Sequence, residues 1–225
     1  MPGIDVNALI VAHCNGADTS TTFTDSSQYA RTLTATSPAQ IDTAQSKFGG
    51  ASGIFDGASA DVRAATAADL DFGTGDFTFD AWIRYNSVPG ATQYLWAQDS
   101  IVSYLAVSAL GLIVAWAAVG FGVRAWTPST GVWYHVAMCK SGSDVFLFID
   151  GTQLGTTVTS VTGDAGQDRF VFGAYPAGGW HNGWMDEVRV SNIARWVTNF
   201  TPPTAEYSSG SGVVRFSKMC LMGIG

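Results

Sequence analysis

Charge is scarce in this chain. Only 13% of its 225 residues are Asp, Glu, Lys or Arg, with 11 basic against 18 acidic. A net charge of −7 without any run of Lys or Arg argues against a nucleic-acid surface, since phosphate binding relies on clustered cations. Cysteine is nearly absent: Cys14, Cys139 and Cys220 are scattered and odd in number, so no disulfide framework is legible. Buried free thiols, and folding in a reducing cytoplasm, are the expectation. The three histidines, His13, His135 and His181, have no metal-ligand spacing to one another or to cysteine, and no G-x-S-x-G elbow is present. Long apolar runs are missing as well. Ala8–Ala12 is strand length, too short for a bilayer, and no basic region precedes it as in a secretory signal.

What the chain does have is apolar bulk and turn residues. Hydrophobic residues make up 47%, with 26 glycines, 13 phenylalanines and 8 tryptophans. That profile fits one strand-rich globular domain with a core large enough to need no staples. Gly131–Gly151 reads as a hairpin, with Trp133–Lys140 and Val145–Asp150 as strands around a Ser141-Gly142-Ser143 turn. Its return strand is apolar on both faces, so both faces need cover. Phe77–Tyr85 alternates cleanly, placing Phe77, Phe79, Ala81, Ile83 and Tyr85 on one side and Thr78, Asp80, Trp82 and Arg84 on the other. Leu105–Ala118 is open to reading as a buried helix, but Gly111, Val114 and Val119 favour strands. About a dozen short strands and almost no helix predict an all-β, two-sheet antiparallel sandwich spanning residues 1–207. Residues 208–225 are expected to form a joint and a last strand or tail, contacting the domain or a neighbouring subunit.

Four stretches, SKFGGASGIFDG, DFGTGDFTFDAWIR, GVWYHVAMCKSGSDVFLFIDG and GWMDEVRVSNIARW, occur in an order that resembles the laminin-G-like branch of the concanavalin-A-like jelly rolls. The likeness spans roughly residues 7–205 and is similar to versions found in bacteriophage virion proteins, including the AHCNGADTSTTFTDSS opening loop and the TPPT closing segment. It implies a jelly-roll sandwich of two sheets with no fixed activity, since fold does not choose function.

Each candidate chemistry has a plainer rival. Glycoside hydrolysis needs two carboxyl groups about 5–5.5 Å apart in retaining enzymes. The E-x-D-x-x-E strand of the hydrolase branch is absent, and Asp186-Glu187 are adjacent, which on a regular strand sends them to opposite faces. Asp80 with Glu187 is the remaining pair, and Arg84 and Arg189 offer both simple ion pairing, so no enzyme is expected. Calcium has hard oxygen donors in Asn15–Asp18 and at Asp186, and the resemblance implies a rim site there for Asp18 and Asp186. The rival is that Asp18 caps a turn and Asp186 accepts backbone amides of the first loop. Sugar binding would use aromatic planes beside polar groups: Trp82, Asp80 and Arg84 on the Phe77–Tyr85 strand, and Tyr175, Trp180, His181, Asn182 and Trp184 in the Tyr175–Trp184 loop, with Trp180 and His181 exposed, while the resemblance implies structural roles for Trp82 and Trp133. The rival for that loop is packing against a sheet edge or a neighbouring subunit.

The resulting expectation is a non-catalytic structural or adhesive protein on the surface of a bacteriophage particle, assembled in the host cytoplasm. It would dock on capsid or tail protein as a homo-oligomer, such as a trimer. The alternative is a carbohydrate-binding module recognising host glycans, and a glycoside hydrolase is a distant third. Neither nucleic acid nor membrane insertion is expected.

Overall fold

The computed structural model of the chain describes residues 3–98, 103–116, 119–159, 168–175 and 178–208. The expected tail beyond Ser208 lies outside these residues. Two antiparallel sheets face each other across one core. The first is built from β1 (Ala8–Ala12), β4 (Gln40–Asp42), β5 (Ser52–Asp56), β7 (Phe77–Tyr85), β12 (Trp133–Ser141), β13 (Asp144–Ile149), β14 (Thr152–Gln153) and β16 (Asn182–Ser191). Its order is β14-β13-β12-β7-β16-β5-β4, with β1 also paired to β16. The second runs β11-β10-β9-β8-β15-β6-β3-β2. Its members are β2 (Thr22–Thr24), β3 (Thr32–Thr36), β6 (Asp61–Ala64), β8 (Gln93–Gln98), β9 (Tyr104–Ser108), β10 (Gly111–Trp116), β11 (Val119–Arg124) and β15 (Phe170–Phe172). Within Leu105–Ala118 the described residues form the strands β9 and β10 joined by a turn at Ala109–Leu110, and no helix.

The alternation of β7 decides the layering. Phe77, Phe79, Ala81, Ile83 and Tyr85 all enter the central core, where Phe79 and Phe77 meet Trp96 and Phe170 of the opposite sheet. The hairpin of β12 and β13 has cover on both faces, as its pattern demands. Val145 and Leu147 face the core, while Phe148 lies with Ala137 and Cys139 beneath Trp196 and Phe200. Trp196 and Phe200 stack with ring centroids 3.9 Å apart, so the segment after β16 forms a partial third layer on the first sheet. After Ser191 ends β16 the chain to Trp196 is irregular, although its sequence also suits a short helical turn, and the only helical turn among the described residues is Ala68–Leu70.

β16 changes partner halfway along. Asn182–Met185 pair with β5, whereas Val188–Ser191 pair with β1. The register with β7 shifts between Asp186 and Arg189, where Glu187 adopts φ 51°. This bulge breaks the strict alternation that would have separated the two carboxylates.

Candidate functional site

The outer face of the first sheet is polar at its middle and aromatic at one end. At the middle, Asp80 is fully buried and bound bidentately by Arg189, with Nε–Oδ1 2.9 Å and Nη2–Oδ2 3.1 Å. His135 Nε2 lies 3.3 Å from Asp80 Oδ2, and the Tyr207 hydroxyl donates to the same oxygen. Burial opposes ionisation, yet Arg189 and His135 hold the Asp80 pKa down at about 2. Arg189 also lies over the Tyr207 ring at 4.0 Å. Asp80 was expected to face a ligand; it instead ties the 201–208 segment to the sheet.

Trp82, a candidate sugar contact, is covered as well. It is 6% exposed, with Phe48 edge-on at 6.0 Å and the Lys47 ammonium 3.8 Å from its ring. The segment carrying those two residues is held by Asp186, whose Oδ2 accepts the Lys47 and Phe48 amides at 2.8 and 3.0 Å. These amides belong to residues 47–48 rather than to the first loop. Asp18 is exposed, and its Oδ1 accepts the Thr43 amide at 3.1 Å. Glu187 binds His13 Nδ1 at 2.6 Å and the Tyr207 amide at 2.6 Å. Among the described residues no group of three or more His, Cys, Asp or Glu is placed to hold a metal. A calcium ion asks for six to eight oxygens. Asp18 and Asp186, each already engaged by backbone amides, do not make up that set.

The residues before Trp184 separate rather than cluster. His181 is fully buried, with its Nε2 toward the Trp184 carbonyl at 3.4 Å and its ring against Phe55 and Tyr85. Burial lowers its pKa to about 4, so it is a neutral core histidine and not an exposed contact. Tyr175 goes to the outer face of the second sheet, tilted against Tyr94 at 5.3 Å, and Tyr94 meets Tyr104 at 5.0 Å. Trp180 is half-buried. Asn182 opens β16, its backbone N–H donating to Gln93 Oε1 at 2.9 Å and its Nδ2 to Ser87 Oγ at 3.2 Å.

The register assembles a different group at the aromatic end of the first sheet. Trp133 on β12 stands opposite Arg84 on β7, and Arg84 opposite Trp184 on β16. Trp184 in turn faces Ile54 on β5, and Ile54 faces Gln40 on β4. All five are half-buried. With strands about 4.8 Å apart, the row runs about 19 Å across the sheet. The Arg84 guanidinium lies over the Trp184 ring at 5.2 Å, and Trp184 Nε1 donates to Asp42 Oδ2 at 2.5 Å, which fixes the indole. Gly183, between Asn182 and Trp184, has φ 151°, and a Cβ there would meet the Arg84 carbonyl oxygen at 2.0 Å. Of this row, sequence reasoning named Arg84 on its strand and Trp184 at the end of the Tyr175–Trp184 loop, but as parts of two separate groups. Trp133 reads as structural from its strand pattern, and nothing local announces that three strands bring two indoles to one arginine.

Elsewhere, a cavity of about 400 Å³ lies beneath residues 201–208, with Arg189, Trp196 and Tyr207 among its walls.

No curated protein matches the chain in sequence. Among solved structures, domain 4 of AbnA, a GH43 extracellular arabinanase from Geobacillus stearothermophilus in complex with arabinotriose, is similar over 84% of this chain and 94% of that one, at TM-score 0.63 and 16% identity. A botulinum neurotoxin type C structure, described as interacting with two ganglioside molecules, gives TM-score 0.60 at 10% identity over 84% of this chain and 48% of its own. A putative carbohydrate-binding protein from Bacteroides ovatus gives TM-score 0.53 at 19% identity, over 64% of this chain and 44% of that one. The chain thus spans about half the length of the toxin and Bacteroides chains. At these identities the likeness is one of fold. A family model described as the concanavalin A-like lectin/glucanases superfamily, laminin G type, matches residues 56–198, well over half the chain. The chain belongs to the concanavalin A-like lectin/glucanase superfamily.

Proposed function

We propose that this protein is a non-catalytic carbohydrate-binding sandwich, and that the Trp133–Arg84–Trp184 row is its binding surface. The observation that carries the reading is that row: Trp133, Arg84 and Trp184 half-buried and in register across three strands, with the guanidinium over the Trp184 ring. Trp and Arg dominate binding surfaces because they combine large contact area with directional donors. Fold neighbours described with arabinotriose, with gangliosides, or as carbohydrate-binding point the same way.

The absence of catalysis is argued from the carboxylates. Asp80, Asp186 and Glu187 are all buried, Asp80 and Glu187 with both oxygens bonded within the protein and Asp186 with one, which argues against their meeting a substrate as acid or base. Display on a bacteriophage particle, docked on capsid or tail protein as an oligomer, rests on the sequence resemblance alone. In that setting the row would hold a host-surface glycan. Co-sedimentation with particles tests the setting separately from the ligand.

The test of binding is a glycan array probed with the wild type and with Trp184→Ala. Binding to a defined set of glycans, lost in the variant at unchanged melting temperature, supports the reading. Equal binding by both proteins, or cleavage of a bound glycan, overturns it.

A further inference from the structure

Two cations on this face, Arg84 and Lys47, have neither an ion pair nor a hydrogen bond among the described residues. Among the described basic residues, Arg31, Arg63, Arg189 and Arg195 pair with carboxylates, and Arg124 and Lys140 donate to backbone carbonyls. Arg84 and Lys47 do neither. Each lies against an indole and has no hydrogen-bond acceptor or carboxylate among the described residues. This is not for want of acids, because the chain carries 18 acidic residues against 11 basic.

The two are also neighbours in the fold. Lys47 caps Trp82, and Trp82 and Arg84 are two residues apart on β7, on the same face and about 6.6 Å along the strand. Asp42, the acid on that end of the sheet, is engaged by the Trp184 indole N–H and forms no ion pair with Arg84. Gly131 contributes no side chain against the guanidinium, where a Cβ would come within 3.3 Å of Nη2. The planar fork of Arg84 is therefore free on a half-buried site, against the Trp184 ring and next to Trp133 in the register. Guanidinium forks match carboxylates bidentately, and the weak hydration of the group suits it to a partly desolvated site.

We propose that the row takes an acidic saccharide, a sugar chain bearing carboxylates, with Arg84 clamping one carboxylate, Lys47 meeting the next charge and the Trp133 and Trp184 rings supporting the sugar faces. This rests on the reading of the row as a carbohydrate site and names the ligand class for it.

The experiment is calorimetric titration of wild type, Arg84→Ala and Trp184→Ala with oligogalacturonate and with the same oligosaccharide as its methyl ester, with sialyllactose and lactose as a second pair. The wild type is expected to favour the carboxylated member of at least one pair by about tenfold or more, the scale of a hydrogen bond to a charged group, and to lose that preference in raised salt. Arg84→Ala should erase the preference by weakening the carboxylated member about tenfold more than the neutral one, and Trp184→Ala should weaken both members alike. Equal wild-type affinity for acid and neutral forms, or a preference that survives Arg84→Ala, overturns the acidic-ligand inference while the carbohydrate reading stands. Binding by none of the four saccharides overturns both. The wild-type comparison of acid with ester needs no variant, so a folding defect in Arg84→Ala leaves the test intact.

Discussion

Asp80 is the residue on which the middle of the first sheet depends. Its carboxylate joins Arg189 of β16, His135 of β12 and Tyr207 of the closing segment, all out of water. Arg189→Ala is expected to destabilise the fold by about 3–5 kcal/mol, because it leaves a buried carboxylate without its cation; urea denaturation reads this directly. Two other buried groups oppose one another in pH dependence. Burial pushes the Asp186 carboxyl up to about 7, with Glu187 adding to the rise and the Lys47 and Phe48 amides opposing it. Between 3.8 and about 7 the folded chain therefore holds a proton that the unfolded chain releases, and this contribution to stability falls as pH rises. His181, lowered to about 4 from 6.5, does the reverse: over that interval the unfolded chain holds the extra proton, so stability rises with pH. Asp186→Asn removes the first effect and leaves the second. Its urea midpoint should climb from pH 4 to 6.5 more steeply than that of the wild type; parallel profiles would contradict the assignment. Sequence reasoning offered Asp80 either Arg84 or Arg189 as an ion partner, and Arg189 is the one that binds it; the His135 and Tyr207 contacts were not legible, because they form only when a third layer covers the sheet face.

Among the elements, β7 was the most legible and β16 the least. Strict alternation over Phe77–Tyr85 fixed which residues enter the core, and all five entered it. β16 carries MDEVRV, and alternation alone sends Asp186 and Glu187 to opposite faces. The bulge at Glu187, where β16 exchanges β5 for β1, is a tertiary event with no sequence signature of its own. Short edge strands β2 and β4 were missed for a related reason: three residues are too few for a period to show. Gly183 gives the element a sharp test. Gly183→Ala places a methyl against the Arg84 carbonyl in a backbone conformation that disfavours side chains, so it should part β7 from β16. Both a lowered Tm and loss of saccharide binding are expected, in contrast to Trp184→Ala, which should lose binding at wild-type Tm. The segment held by Asp18 and Asp186 gives another test. Because amides already occupy these carboxylates, chelator should leave Tm unchanged; a drop restored by calcium would show that an ion holds the segment instead.

At the scale of the whole molecule, the all-β sandwich was readable because turn residues and β-branched or aromatic runs recur along the entire chain. The site was not, because it is made by register. Trp133, Arg84 and Trp184 are far apart in sequence, and only the pairing of β12, β7 and β16 sets them side by side. The sandwich has other surfaces that compete for a ligand. They include the Tyr94, Tyr104 and Tyr175 group on the second sheet and the cavity beneath residues 201–208. A crystal structure of the protein with bound oligogalacturonate separates them in one measurement. The account predicts a sugar ring stacked on Trp133 or Trp184 with a carboxylate within hydrogen-bond distance of the Arg84 guanidinium. A saccharide seated on the tyrosines or under the closing segment, with the Trp133–Arg84–Trp184 row bare, would contradict it.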